Sequence, residues 1–356
     1  MFGAKFKLPD ETSIFLVLVV VIGALSFLDP TFGTFDNGMV LLLNGAVVGV
    51  LALGQTFVLL TGGIDLSTAA VMAFGGVIAT LIMSWGLPWQ VACAGALGCS
   101  LAVGVVNGLL VRYARLPAFI ATFGVSGICS SLAQVIPNGV SITAADSSFS
   151  WLGQGKIYGL PVAVALFALV AVGAAALLRW TRLGVHIYAL GGNPRAARLA
   201  GVNTARTTIF VYATSSTLAG LGGIITASRL MVGFPYVGGG NELFYSIAGA
   251  VVGGVSLFGG VGSILGVVIG AVLIATLANG LNVLSISSFW QPFVIGVVIL
   301  LGVGFDTYRR TASGGSPFGR AIAGLRLRRG PDLKSQTTAV GSTAPPLPPE
   351  VADKEP

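Results

Sequence analysis

Long apolar runs with few charges recur along this chain, and they constrain its fold more than any other feature. A helix needs about 20 mostly apolar residues to cross the hydrocarbon core of a bilayer. Inside that core the backbone must satisfy its own hydrogen bonds, which favours helices. We therefore predict an all-α polytopic membrane protein. About ten transmembrane helices are expected, near residues 12–29, 39–61, 65–85, 88–111, 117–136, 159–180, 207–229, 244–258, 263–283 and 289–308.

The composition excludes an ordinary soluble domain. Hydrophobic residues make up 54% of the chain and charged residues 9%, whereas soluble domains carry about 25% charged residues. The formal net charge of +7 does not indicate nucleic acid as a partner, because the basic residues lie at the ends of apolar runs, beside the lipid bilayer. Cys93, Cys99 and Cys129 lie inside apolar runs without the spacing of metal ligands, so we expect reduced core residues and no metal.

The placement of the basic residues predicts the orientation. Cytoplasmic loops of membrane proteins are enriched in Lys and Arg. If Lys5 and Lys7 are cytoplasmic, an alternating path through ten spans leaves only Lys156 and Arg229 outside. An even number of spans follows, with both termini in the cytoplasm. The arginines that this path places inside are Arg112, Arg115, Arg179, Arg182, Arg195, Arg198, Arg206, Arg309, Arg310, Arg320, Arg326, Arg328 and Arg329.

Composition divides the chain into three parts. Residues 1–11 are expected to be a cytoplasmic N-terminus, and no small-residue cleavage site follows the first apolar run, so the first helix is expected to stay uncleaved. Residues 12–310 are expected to form the transmembrane domain. Residues 311–356 include a proline-rich segment that cannot build a core, so we expect a disordered cytoplasmic tail.

Glycines mark both interruptions and packing surfaces. The span junctions at 61–65 and 258–262 are Gly-rich, and a broken or re-entrant helix is one interpretation of each. Glycines four residues apart allow close helix contact, and we interpret them as packing within the chain. These repeats are Gly45/Gly49, Gly104/Gly108, Gly249/Gly253 and Gly262/Gly266/Gly270. The last set is also a candidate for a subunit interface or a moving seam.

Residues 182–206 form a polar, basic segment between the sixth and seventh spans. Asn193 is a typical N-cap, Pro194 suits a first helical turn and Gly201 suits a left-handed C-terminus, so a short helix is predicted over 194–200. So short a helix needs a surface to lie on, and on the cytoplasmic side we expect it to dock to a soluble partner. Its docking residues are expected to be Asn193, Pro194, Arg195, Ala196, Ala197, Arg198, Leu199 and Gly201.

Polar side chains inside membrane spans are costly, so they are usually paired or line a wet path. The candidates for a translocation path are Asn44, Gln55, Asp65, Asn107, Gln134 and Asn279. Amides suit neutral hydroxyl groups, but a contact between helices is the more favoured role for any single amide. Asp65 stands at a helix start, where capping is favoured over substrate binding.

Two outer loops are expected, over residues 137–158 and 232–241. Glu242 and Tyr236 lie near this outer surface. Both are candidates for contact with a soluble partner, and the alternative for Glu242 is simply the start of the next helix.

The sequence gives no sign of catalysis. It contains no phosphate-binding loop, no zinc-protease motif and no serine-hydrolase motif, and His186 is the only histidine. We therefore predict no catalytic residue, no enzyme activity and no cofactor bound by this chain.

Four stretches resemble the permease subunits of bacterial monosaccharide ABC importers of the ribose, xylose, arabinose and galactoside type. They are Leu60–Ser67, Pro117–Thr122, Thr181–Asn193 with the helix after it, and Ala250–Gly260. The resemblance covers roughly residues 10–310 and leaves only the tail unmatched. It implies the transmembrane subunit of an ATP-driven importer in the bacterial inner membrane.

The resemblance also implies partners. They are a second permease copy forming a homodimer, a cytoplasmic ABC ATPase that carries ATP and Mg²⁺, and a periplasmic sugar-binding protein that Glu242 and Tyr236 would contact. The helix at 194–200 would be the coupling helix, seated in a cleft of the ATPase. Related permeases for branched-chain amino acids and nucleosides share this architecture and stay open as alternatives. A stand-alone secondary transporter is disfavoured by the scarcity of membrane carboxylates.

One position departs from the resembled family. Ribose-type permeases usually have an acidic residue shortly after the Glu-Leu that opens the eighth span. Here Glu242-Leu243 is followed by Phe244-Tyr245-Ser246. If that acid contacts the substrate or the binding protein, ribose itself is disfavoured as the substrate, and a less common monosaccharide or a polyol stays open.

Overall fold

The computed structural model describes residues 10–237 and 241–312. One compact unit ends at Asp306 and a second begins at Thr307. The helices are α1 (Asp10–Leu28), α2 (Phe35–Leu60), α3 (Thr68–Ser84), α4 (Trp89–Arg112), α5 (Ala118–Val135), α6 (Ser150–Gln154), α7 (Val162–Trp180), α8 (Arg182–Gly192), α9 (Pro194–Leu199), α10 (Thr204–Leu230), α11 (Glu242–Val252), α12 (Ile264–Val283) and α13 (Gln291–Ala312). Most of residues 1–11 and 311–356, predicted as the two cytoplasmic ends, lie outside the described residues.

The predicted all-α class of polytopic membrane protein is confirmed. Among the described residues, seven helices are long and apolar enough to cross a membrane: α1, α2, α4, α5, α7, α10 and α12. The shorter apolar helices are α3, α11 and the part of α13 from Gln291 to Gly304.

The eighth predicted span, 244–258, is wrong in its length. Helix α11 has 11 residues, which corresponds to about 16 Å and is short of the roughly 30 Å hydrocarbon core. It ends because the chain turns at Gly254, whose φ of 88° favours glycine. A loop over residues 253–263 follows, and α12 starts after Ser263, whose Oγ accepts a hydrogen bond from Gly266 N at 3.1 Å. The predicted interruption is therefore present, but it starts before the Gly-rich stretch at 258–262.

Close contacts at glycines build the interior. Helix α10 lies against α2, α3 and α4, and a Cβ on Gly104 of α4 would lie 2.5 Å from Tyr212 O of α10. Gly266 and Gly270 are buried against the backbone of α11. Packing within the chain is thus confirmed for these glycines. The interpretation of Gly266 and Gly270 as a subunit interface is wrong, because α11 already fills that surface.

The two predicted outer loops meet each other. Strand β1 (Ile142–Thr143) pairs antiparallel with β4 (Val232–Gly233), so the segment after α5 is joined to the segment after α10. Strands β2 (Lys156–Ile157) and β3 (Leu160–Pro161) form a second small pair before α7. These two-residue strands were not predicted, since no alternating pattern is long enough to mark them.

Hydrogen bonds place several chain segments at one end of the bundle. Ser263 Oγ donates to Glu11 Oε1 at 2.9 Å, which joins the start of α12 to the start of α1. Gly260 N donates to Leu60 O at 2.9 Å, which joins the loop after α11 to the end of α2. Tyr188 of α8 also reaches this loop. The helix pair α8–α9 therefore lies at the same end as the first residues of α1.

Candidate functional site

The short helix α9 begins as the sequence predicts. Asn193 is the single residue between α8 and α9. Its Oδ1 accepts hydrogen bonds from Arg195 N at 3.1 Å and Ala196 N at 3.0 Å, and Pro194 occupies the first turn. This cap satisfies amides that have no partner inside the helix.

The end of α9 is equally defined. Gly201 has a φ of 82°, Gly201 N donates to Arg198 O at 3.0 Å and Val202 N donates to Ala197 O at 3.0 Å. This pair of bonds is a Schellman motif, which needs a left-handed residue at that place. The helix ends at Leu199 with Ala200 as its cap, one residue before the predicted end.

The surface of α9 combines charge with one large apolar side chain. Ala197 faces inward and is buried, whereas Arg195 and Arg198 are exposed. Leu199 is 90% exposed. An isolated exposed leucine is unremarkable on most surfaces, but here it stands beside two cations on a helix fixed at both ends. The arrangement suits a pocket with an apolar floor and an acidic rim.

Helix α8 anchors this segment to the bundle. Ile187 and Leu190 are buried. Tyr188 OH donates to Gly262 O at 2.9 Å, in the loop after α11. Burial raises the pKa of the Tyr188 phenol, so the hydroxyl keeps the proton that it donates. The α8–α9 segment is therefore attached to the loop that interrupts the apolar run of α11 and α12.

Asp65, in the loop between α2 and α3, is the centre of a buried polar cluster. Its Oδ1 accepts from Ser67 N at 2.9 Å and Ser67 Oγ at 2.6 Å, and its Oδ2 accepts from Ser215 Oγ at 2.8 Å. Asn107 Nδ2 donates to Ser67 Oγ at 2.9 Å. The predicted capping role needs a correction, because Ser67 is the N-cap of α3 and Asp65 binds the amide of that residue. Asp65 thereby joins the start of α3 to α10 and, through Ser67, to α4.

Two further candidates pair with other helices. Asn44 Oδ1 of α2 accepts from Arg229 Nη1 of α10 at 2.7 Å. Asn279 Nδ2 of α12 donates to Asn37 Oδ1 of α2 at 2.8 Å. Both pairs hold α2 to its neighbours, which is the role that the sequence favours for any single amide.

The last two path candidates behave differently. Gln55 is fully buried in α2, and within the described part of the chain neither its Oε1 nor its Nε2 has a hydrogen-bond partner. A buried amide without a partner is costly. Gln134 is half-buried near the end of α5. Of the six path candidates, the hydrogen bonds bring together only Asp65 and Asn107, and a role in translocation stays a prediction for all six.

The predicted outer contacts lie on either side of residues 238–240, which are outside the described residues. Tyr236 is 49% exposed and packs edge to face on Phe234, with ring centroids 5.6 Å apart. Glu242 is the first residue of α11 and is half-buried. Contact with a binding protein stays a prediction for both.

Sequence reasoning missed several residues that the structure places in these sites. Ser67 and Ser215 complete the Asp65 cluster, and Tyr188 ties α8 to the loop after α11. One signal for Ser215 was available, since Ser215 and Ser216 stand together inside an apolar helix and a hydroxyl in a membrane span often bonds across helices.

Comparison with known proteins gives the class of this chain. The profile of the family described as "Branched-chain amino acid transport system / permease component" matches residues 37–303. The protein is thus a multi-pass permease and belongs to this family of transport-system permease components.

Individual relatives carry sugar-related names. The chain is 40% identical to the ribose import permease protein RbsC of Escherichia coli over 310 residues, which is 86% of this chain and 96% of the relative. It is 34% identical to the L-arabinose ABC transporter permease protein AraH of Azospirillum brasilense, covering 86% of this chain and 91% of the relative. It is also 34% identical to the D-allose transport system permease protein AlsC of Escherichia coli, covering 83% and 91%. No solved structure matches the chain.

Proposed function

We propose that this chain is the transmembrane subunit of an ATP-driven, binding-protein-dependent importer that moves a monosaccharide or polyol across the bacterial inner membrane. The observation that carries the proposal is the 40% identity over 96% of a ribose import permease. The arabinose and allose permeases broaden the substrate class to monosaccharides in general. The Phe244-Tyr245-Ser246 stretch, where the ribose-type pattern has an acid, argues against a commitment to ribose itself.

The proposed topology has ten crossings. They are α1, α2, α3, α4, α5, α7, α10, α11 with the loop after it, α12 and α13. The end of the bundle that carries α8–α9 is cytoplasmic, which puts Arg182, Arg195, Arg198 and Arg206 inside in agreement with the positive-inside rule. The hydrogen bond from Ser263 to Glu11 supports an N-terminus on the same side.

The α8–α9 segment is the proposed contact with the ATPase. Leu199 enters an apolar pocket, while Arg195 and Arg198 face acidic side chains around it. ATP and Mg²⁺ bind to that ATPase, and this chain binds no cofactor. Closure of the ATPase pair pushes α9 in two permease copies, which form a homodimer, and so switches the access of the pore.

The proposed path uses amide groups that suit sugar hydroxyls. Gln55 is the strongest of the six candidates, because its buried amide needs a partner that the described residues do not supply. At the outer surface, Glu242 and Tyr236 contact the sugar-binding protein.

Uptake into proteoliposomes tests this function. The chain is reconstituted with its proposed partners, an ABC ATPase and a sugar-binding protein, and uptake of labelled ribose, arabinose, allose and a polyol is measured with ATP inside. We expect uptake of one of them only when all three proteins are present. Uptake that persists without the ATPase, or with an ATPase unable to hydrolyse ATP, would favour a secondary transporter and overturn the proposal.

The description of the matching family names a second class of substrate, branched-chain amino acids. The same proteoliposomes are therefore given labelled leucine and a labelled nucleoside. ATP-dependent uptake of either one, without uptake of any sugar or polyol, would replace the sugar with that substrate and leave the ABC mechanism intact.

A further inference from the structure

Three Gly-Gly pairs from distant parts of the sequence meet beside α9. They are Gly62-Gly63 in the loop after α2, Gly191-Gly192 at the end of α8, and Gly259-Gly260 in the loop after α11. We refer to the four residues whose backbones lie against one another, Gly62, Gly191, Gly259 and Gly260, as the glycine junction.

The contacts in the glycine junction are made by backbone atoms. Gly260 N donates to Leu60 O at 2.9 Å. A Cβ on Gly191 would collide with Leu60 O and lie 2.5 Å from Gly260 N. A Cβ on Gly259 would lie 2.7 Å from Gly62 N and 3.0 Å from Gly191 Cα. With no side chains between them, these segments cannot shift independently without losing contact, because close-packed interiors transmit displacement.

Tyr188 supplies a second connection between the same elements. Its hydroxyl donates to Gly262 O at 2.9 Å, two residues beyond the Gly259-Gly260 pair. Helix α8 therefore holds the loop after α11 at two places. Only Asn193 separates α8 from α9, so a push on α9 is passed directly to α8.

We infer that the glycine junction and Tyr188 form the link that transmits movement of α9 to the end of α2 and to the loop between α11 and α12. This inference rests on the proposed role of α9 as the contact with the ATPase. The receiving element suits the task, since the helix of α11 ends at Val252 and the chain continues as a loop to Ser263, after which α12 begins. Movement there changes the separation of α2 and α11, two helices that pack together.

The chain offers a matched pair of substitutions. Gly191→Ala adds a methyl group that clashes with the carbonyl oxygen of Leu60, whereas a Cβ on the adjacent Gly192 has nothing within 4 Å. Gly192→Ala is therefore the control. Tyr188→Phe is a milder test, because it removes only the hydroxyl that binds Gly262 O and keeps the packed ring.

The reporter of movement is Val261→Cys, placed in the loop after α11 at a side chain that is 56% exposed. It is made in a chain whose three native cysteines are replaced, and the full transporter with its ATPase and binding protein is reconstituted. The rate of labelling by a water-soluble thiol reagent is measured with and without ATP plus vanadate, together with sugar uptake and copurification of the ATPase.

We expect nucleotide to change the labelling rate in the parent and in Gly192→Ala, but not in Gly191→Ala or Tyr188→Phe. All of these variants keep the ATPase bound, and uptake falls about tenfold in Gly191→Ala and Tyr188→Phe, the size of a typical coupling between two sites. A merely structural role of Tyr188 would change stability and leave the nucleotide response in place.

The outcomes separate this inference from the proposed function. If Tyr188→Phe keeps the full nucleotide response and uptake, the link does not exist, whatever Gly191→Ala does. If Gly191→Ala fails to assemble, Tyr188→Phe decides the question. The double variant Arg195→Glu/Arg198→Glu tests the underlying role of α9. Retained copurification of the ATPase would remove α9 as the ATPase contact and with it this inference, while the importer function would still be judged by the uptake assay. Loss of copurification leaves the link to be judged from Tyr188→Phe.

Discussion

The guanidinium of Arg229 in α10 donates a hydrogen bond from Nη1 to Oδ1 of Asn44 in α2 at 2.7 Å. Arg229 is one of the two basic residues that the proposed topology places outside, and its side chain is half-buried. A cation that turns toward an amide instead of water needs that acceptor, because a hydrogen bond to a charged group contributes about 1.5–3 kcal/mol.

The first prediction follows from this pair. Asn44→Ala removes the acceptor and is expected to lower the stability of the purified permease by about 1–2 kcal/mol, seen as a lower thermal midpoint in detergent. Asn44→Asp keeps an acceptor and adds a negative charge, so its midpoint is expected to stay at or above that of the parent. Equal midpoints for the Ala and Asp variants would show that the hydrogen bond does not contribute to stability.

Asp65 gives the second prediction. Asp65→Ala leaves the Ser67 amide and the Ser215 hydroxyl without their buried acceptor, which costs about 1–3 kcal/mol for each unsatisfied group. Asp65→Asn keeps one carbonyl oxygen for Ser67 and an amide that can donate to Ser215, so we expect a much smaller loss. Thermal unfolding monitored by size-exclusion chromatography distinguishes them, and an Ala variant as stable as the Asn variant would contradict the role of the cluster.

Local features of this fold could be predicted from the sequence, whereas contacts between distant segments could not. The caps of α9 at Asn193 and Gly201 were predicted correctly because each depends on residues within a few positions along the chain. The bond from Ser215 to Asp65 joins residues that are 150 positions apart. No local pattern records which helices meet, so the polar residues could be listed from the sequence but not paired.

The predicted length of the eighth span, which contains α11, was wrong for a related reason. Hydropathy stays high through Val251, Val252 and Val255, so an apolar run gives no sign of where its helix stops. The turn comes from the backbone at Gly253-Gly254, and a pair of glycines inside such a run was the available signal.

Close helix packing leads to the third prediction. Gly104→Ala in α4 is expected to destabilise the permease by about 1–3 kcal/mol, because overpacking forces backbones apart where the new Cβ would lie 2.6 Å from Ala213 Cα. Gly98→Ala on the same helix meets nothing within 4 Å, so it should raise stability by about 0.5–1 kcal/mol through helix propensity. Relative to the parent, we expect a lower thermal midpoint for Gly104→Ala and a higher one for Gly98→Ala. Shifts of both variants in the same direction would contradict the packing argument.

The last prediction concerns Leu199. Because this side chain is 90% exposed, Leu199→Ala should leave the thermal midpoint of the isolated permease unchanged. If α9 docks into the ATPase, the same change removes buried apolar surface from the interface and weakens binding by about 1–2 kcal/mol, or about tenfold in Kd, and Leu199→Glu should abolish copurification.

Leu169→Ala in α7 is the matched control for this prediction. Leu169 is 69% exposed and lies in α7, which is long and apolar enough to cross a membrane, so its truncation should leave the affinity for the ATPase unchanged. Affinity is measured by titrating the ATPase against permease in nanodiscs. If Leu199→Glu binds the ATPase as tightly as Leu169→Ala, then α9 does not enter the ATPase. The two arginines beside Leu199 would then be left with the ordinary role of cytoplasmic charges beside a lipid surface.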